Sequence, residues 1–209
     1  MSEGWIDEQL VARGITDARV LDVMRRVPRE AFVPGASSEL AYADRALPIG
    51  CGQTISQPYM VAVMSEALRL TGSERVLEVG TGSGYQAAVL GELARHVMTI
   101  ERVPELAEAA RARLAALGYT NVEVSVGDGT LGSPSDGPFD GILVAAGAPR
   151  APDALKEQLS PEGGRLVIPV GPAEQQWLVV ITRHGDRFTE STGIGCVFVP
   201  LLGQHGWSL

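Results

Sequence analysis

Cysteine is almost missing from this chain of 209 residues: Cys51 and Cys196 are the whole supply, and they lie far apart. Two such residues cannot build the disulfide framework of a small secreted domain, so buried free thiols in a reducing compartment are expected. Histidine is scarce too. His96, His184 and His205 show no metal-ligand spacing and there is no Cys-x-x-Cys pair, so no metal is expected. Core, surface and tail are the places expected for these three. Basic charge is in deficit, with 17 Lys plus Arg against 25 Asp plus Glu and a formal net charge of −8. The densest basic stretches, 25–29 and 183–187, are short. Phosphate backbones recruit extended basic patches, so nucleic acid is not an expected partner. No apolar run approaches the ~18 residues of a membrane helix. The acidic opening Met-Ser-Glu-Gly-Trp-Ile-Asp-Glu lacks the basic and apolar regions of a secretory signal. These absences point to a cytoplasmic protein without a membrane partner.

What is present is a core-forming composition, 45% hydrophobic, with no repeat and no Pro/Ser-rich linker. At roughly 150 residues per domain, one domain over 1–209 is expected. The first third reads helical. Leu10, Val11, Ile15, Val20, Leu21, Val23, Met24 and Val27 recur at helical spacings, broken near Gly14 and ended by Pro28. Residues 44–56, with two glycines, a proline and no sustained period, read as a loop. Gln57-Pro58 opens the next helix, because the first turn does not need the N–H that proline lacks.

From residue 75 strands and helices alternate. Strands are expected at 75–79, 97–101, 122–126, 139–145, 165–170, 177–182 and 196–199, and helices at 84–95, 104–117 and 153–159. Such alternation calls for parallel strands with helices on both faces. The last strands have no helix between them and should pair antiparallel. The fold class is α/β, a Rossmann-like doubly wound sandwich with a mixed, mostly parallel sheet, antiparallel C-terminal strands and a helical N-terminal cap.

The first core strand runs into Glu78-Val79-Gly80-Thr81-Gly82-Ser83-Gly84-Tyr85. Glycines let the backbone turn tightly and approach a ligand, while the next helix points its N–H groups at it. Tyr85 stands where the dinucleotide fingerprint G-x-G-x-x-G needs glycine, so the pattern is G-x-G-x-G preceded by an acid. Glu101 ends the second strand about twenty residues on, where a ribose-binding carboxylate belongs. The alternative for it is a solvated strand end. Gly127-Asp128-Gly129 closes the third strand, either as a plain turn or as a slot where Asp128 accepts an adenine amino group. Three carboxylates at consecutive strand ends suit a cationic ligand better than pyrophosphate. A sulfonium carrying an amino acid and an adenosine fits all three, and the combination resembles the class I S-adenosylmethionine-dependent methyltransferases.

The segment Leu47-Pro48-Ile49-Gly50-Cys51-Gly52-Gln53-Thr54-Ile55-Ser56-Gln57-Pro58-Tyr59-Met60 resembles the signature loop of the protein-L-isoaspartate O-methyltransferases. So do Val27–Pro34, Arg75–Gln86, Gly127-Asp128-Gly129, Pro169-Val170-Gly171 and Phe198-Val199-Pro200-Leu201, in order from about residue 10 to 202. The resemblance implies methyl transfer from S-adenosylmethionine to the free α-carboxylate of L-isoaspartyl residues in damaged proteins and peptides, leaving S-adenosylhomocysteine. The single domain is expected to comprise a helical cap with the substrate loop, 1–70, and an α/β core, 71–209. A relative on the same scaffold that methylates an aspartate of one dedicated peptide is the alternative. The cofactor-binding set it implies is Glu78, Gly80, Thr81, Gly82, Ser83, Gly84, Glu101, Arg102, Gly127, Asp128 and Gly129. The substrate side is Gln53, Thr54, Ile55, Ser56, Val199 and Leu201, with Ser56 as the active-site hydroxyl. Ser56 read alone could instead cap the helix at Pro58, and Gln53 could brace the loop instead of touching substrate. Isoaspartyl proteins and peptides are the expected partners of a monomeric enzyme. Tyr59 replaces the histidine of animal members, and the tail 203–209 does not match theirs, so the resemblance implies no contacts there.

Overall fold

The computed structural model describes residues 4–33 and 35–208. Pro34 of the Val27–Pro34 motif, the opening Met1 to Glu3 and Leu209 of the tail lie outside the described residues.

Local chemistry starts and stops the helices. Helices α1 (Gly4–Gln9) and α2 (Ala18–Arg26) are separated by a short turn that ends at Gly14, whose φ of 93° is left-handed. Asp17 caps α2 by accepting from the Arg19 and Val20 amides. After the short α3 (Ser38–Ala41), α4 (Pro58–Leu68) begins on its proline, as expected. Glu66 of α4 accepts from the Thr16 and Asp17 amides, which ties the N-terminal cap to the core.

The stretch 44–56 corrects the loop expectation. It contains two antiparallel strands, β1 (Leu47–Gly50) and β2 (Gln53–Ile55), joined by a turn in which Gly50, Cys51 and Gly52 all have positive φ. Cys51 is therefore exposed, not buried, while Cys196 is partly buried and its thiol is pushed up to about 11 by burial.

The core alternates as expected: β3 (Arg75–Val79), α5 (Tyr85–Leu93), β4 (His96–Glu101), α6 (Pro104–Ala116), β5 (Val122–Val126), β6 (Gly141–Val144), α7 (Asp153–Glu157), β7 (Glu162–Val170), β8 (Gln176–His184) and β9 (Arg187–Cys196). The seven-stranded sheet runs β5-β4-β3-β6-β7-β8-β9, parallel through β7 and antiparallel beyond it. The last strand falls earlier than the expected 196–199. The β8–β9 hairpin turns at Gly185-Asp186, and β9 is exposed along nearly its whole length, so it carries no period-two signal. His96 opens β4 with its side chain 38% exposed near Glu123, outside the core position expected.

Each sheet face carries its own apolar layer. Val76, Val97, Val124 and Leu143 face α4, α5, α6 and the N-terminal helices. Leu77, Ile142, Val144 and Ile168 face Leu155 and Leu159 around α7. Glu78 lies opposite Thr99 on one side and Leu143 on the other. The topology thus delivers the ends of β3, β4, β5 and β6 to one rim, where ligands bind in open α/β sheets.

Candidate active site

A pocket enclosing about 830 Å³ of empty space, its open mouth included, sits on that rim. One wall is the glycine loop: Gly80, Thr81, Gly82 and Ser83, with Glu101 and Arg102 beside them. Gln53, Thr54, Ile55 and Ser56 also line the pocket, as do Val199, Pro200, Leu201, Leu202 and Gly129. Of the expected site residues, Glu78, Gly84, Gly127 and Asp128 do not line this pocket.

The glycine loop is conformationally specified. Gly80, Gly82 and Gly84 have φ of 97°, 54° and 89°, a region that side-chain-bearing residues rarely adopt. Gly84 serves packing: a β-carbon there would press on Ala110 and Leu114 of α6. Glu101, only 6% exposed, holds the loop from below. Its Oε2 accepts from the Gly82 amide at 2.9 Å and its Oε1 from the Val103 amide at 3.0 Å. Each oxygen keeps a free lone pair, and among the described residues no cation pairs with Glu101. A carboxylate so placed can accept a pair of vicinal hydroxyls.

Glu78 stands behind the loop, fully buried. Its Oε2 accepts from the Thr99 hydroxyl at 2.6 Å, and Thr99 is 2.7 Å from the hydroxyl of Thr81, a residue that does line the pocket. Among the described residues its Oε1 has no partner. Burial pushes the Glu78 carboxyl up to about 8, with the Glu101 charge adding and the Thr99 bond opposing. Glu78 would thus act on a ligand through two hydroxyls, not by contact.

Asp128 faces a neighbouring groove together with Gly127. Its Oδ1 accepts from the Thr130 amide at 2.9 Å and hydroxyl at 2.6 Å, and its Oδ2 from the Gln204 amide at 2.8 Å. These bonds hold its carboxyl below the usual range against the opposing effect of burial. The tail 203–208, about which the resemblance implies nothing, therefore docks on the Gly127–Gly129 turn. Trp207 anchors it by donating from Nε1 to the Gly147 carbonyl at 3.0 Å. One Oδ2 lone pair of Asp128 remains for an outside donor.

Ser56 does not cap the helix. The N-cap position of α4 is Gln57, without a side-chain bond to the turn. The Ser56 carbonyl accepts from Arg29 Nη2 at 2.7 Å, and the residue lines the pocket. Ile55 is buried and Thr54 exposed on the same wall. Tyr59 lies outside the pocket lining, under the guanidinium of Arg13 at 3.4 Å.

Sequence reasoning missed Val61, Val79, Tyr85, Gln86, Ile100, Ala145, Ala146, Pro200 and Leu202 of the lining. Ala145 and Ala146 follow β6, and the strand-end rule that nominated Glu101 would have reached them.

Comparison with known proteins agrees with this architecture. Residues 3–206 match the family model "Protein-L-isoaspartate(D-aspartate) O-methyltransferase (PCMT)". The chain is 57% identical over 205 residues to the protein-L-isoaspartate O-methyltransferase of Trichlorobacter lovleyi, covering 98% of this chain and 94% of that protein. It is 60% identical over 201 residues to protein-L-isoaspartate O-methyltransferase 2 of Marinobacter nauticus, covering 95% and 91%. A solved protein-L-isoaspartate O-methyltransferase superposes with a TM-score of 0.87 at 27% identity, covering 98% of this chain and 67% of that one. A Plasmodium falciparum structure described as the same enzyme, in complex with S-adenosyl-L-homocysteine, superposes with a TM-score of 0.81 at 26% identity, covering 96% and 97%. With the glycine loop, the Gln53–Ser56 wall and a match spanning nearly every residue, this chain belongs to the protein-L-isoaspartate(D-aspartate) O-methyltransferase family.

Proposed function

We propose that this protein methylates the free α-carboxylate of L-isoaspartyl residues in damaged proteins and peptides, using S-adenosylmethionine and releasing S-adenosylhomocysteine. The observation that carries this reading is the shared pocket: the glycine loop with Glu101 and the Gln53–Ser56 wall both line it. Its acceptors fit the methyl donor. Glu101 has two free lone pairs for a hydroxyl pair, and Asp128, in the adjoining groove, has one for an amino group. S-adenosylmethionine, when bound, supplies a methyl group activated by a positively charged sulfur.

The chain's own residues orient and dehydrate. An α-carboxylate with a pKa of ~3.5 is ionised at neutral pH, so no general base is required. Alignment of the two partners is the main catalytic task. The Ser56 hydroxyl, not spent on helix capping, would donate to one acceptor oxygen while the other takes the methyl group. Ile55, Val199 and Leu201 keep water away from the opposite charges, which strengthens their attraction. The backbone of Thr54 and Ile55 would grip the acceptor's main chain from the same wall.

We read the protein as a cytoplasmic monomer. Both cysteines are free, as a reducing compartment allows, and among the described residues no helix is long and apolar enough to cross a membrane. Incubation with methyl-labelled S-adenosylmethionine and a heat-aged, isoaspartyl-rich protein tests the chemistry. Label released as methanol by mild alkali marks a carboxyl ester and is expected. Alkali-stable label would overturn the reading.

A further inference from the structure

Arg29 is completely buried, the largest side chain to be so. Its Nε donates to the Ala41 carbonyl at 2.7 Å and its Nη2 to the Ser56 carbonyl at 2.7 Å. The guanidinium carbon lies 4.9 Å from the centre of the Tyr85 ring, whose residue also lines the pocket. Among the described residues Nη1 has no partner. No carboxylate lies within ion-pair distance of Arg29 among the described residues, because the nearby acids are committed elsewhere. Glu30 accepts from the Tyr42 hydroxyl, and Asp44 pairs with Arg13.

A buried, uncompensated cation is costly, and an apolar side chain of similar volume would fill the same space more favourably. Desolvation lowers the Arg29 pKa, yet a guanidinium stays charged throughout the working range. The charge sits one residue behind the pocket wall, in contact with both Ser56 of the acceptor side and Tyr85 of the helix after the glycine loop. Water does not screen it there.

We propose that Arg29 is a positioning residue of the acceptor site: its fork fixes the Ser56 peptide, and its buried charge attracts the substrate carboxylate. This rests on the reading that the Gln53–Ser56 wall receives an isoaspartyl carboxylate. The two roles separate by substitution. Arg29→Lys keeps the charge, but a single ammonium cannot hold the Ala41 and Ser56 carbonyls together in the same fork. Arg29→Met removes the charge while keeping an apolar stem of similar length.

The test is steady-state kinetics on an isoaspartyl peptide, with S-adenosylhomocysteine affinity and circular dichroism measured on each variant. Arg29→Lys should lower kcat about tenfold with KM within about threefold of the parent. Arg29→Met should in addition raise KM about tenfold. Both should bind S-adenosylhomocysteine within about threefold of the parent, which a general loosening of the fold would not allow. Folded variants with parental kcat and KM overturn the proposal. So does a parallel loss of peptide and cofactor binding, or failure of both variants to fold, since either makes Arg29 a structural residue only. If the parent itself fails to methylate the isoaspartyl peptide, the functional reading falls first, and that result is distinct from any effect at Arg29.

Discussion

Replacing Glu101 with glutamine probes the cofactor wall with almost no change of shape. The carboxylate receives the Gly82 and Val103 amides on separate oxygens. Glutamine keeps one acceptor, but its NH₂ group must then face an N–H donor, so one of the two backbone bonds is lost. A hydrogen bond to a charged group contributes about 1.5–3 kcal/mol. In the free protein, a loss of about 2 kcal/mol at this size lowers the melting temperature by roughly 4–8 °C. In the complex, the hydroxyl pair of the ligand also loses a charged acceptor. Because 1.4 kcal/mol is tenfold in affinity, S-adenosylhomocysteine should bind about 10–100-fold more weakly. Isothermal titration calorimetry with Glu101→Gln and the parent measures this. Parental affinity alongside a lowered melting temperature would make Glu101 a loop brace only. Parental values in both would remove it from the site.

Three further outcomes are expected. Ser56→Ala should cut kcat on an isoaspartyl peptide by about tenfold, the scale of one hydrogen bond of about 1.4 kcal/mol, and leave S-adenosylhomocysteine affinity unchanged in calorimetry. The raised pKa of Glu78 makes its contribution to stability full below the unfolded value and lost as pH climbs through about 8. The parent's urea midpoint should therefore fall more between pH 6 and pH 9 than that of Glu78→Gln, and parallel profiles would contradict the buried-acid account. Asp128→Ala removes three accepted bonds, two from Thr130 and one from Gln204. Thermal melts should show a loss of about 2–4 kcal/mol, and amide hydrogen exchange should quicken in residues 203–208.

Legibility of the sequence followed the strength of the local signals. Pro58 and Pro104 mark the first turns of α4 and α6, and β3 and β5 have the bounds that their β-branched runs suggest. The β1–β2 hairpin was hidden because its short strands carry a proline and meet through three positive-φ residues, with too few positions for a period to show. Strand β9 was misplaced because both of its faces meet solvent, which erases the alternation that burial writes into a strand. At the site, strand-end logic reached Glu101, Gly129 and the loop from Gly80 to Ser83. It could not reveal that Glu78 acts through Thr99 and Thr81, or that Asp128 is held by the tail, because those partners are fixed by tertiary packing. Arg29 stands in the Val27–Pro34 motif, but nothing about an arginine after a proline announces burial beneath Ser56.

The central claim is that the pocket brings an isoaspartyl carboxylate to an activated methyl group. Two synthetic peptides, identical except for L-isoaspartate in one and L-aspartate in the other, test it directly with labelled S-adenosylmethionine. Transfer confined to the isoaspartyl peptide, and repeated across unrelated flanking sequences, is the expected result. Equal labelling of both peptides, or S-adenosylhomocysteine binding with transfer to neither, would contradict the account.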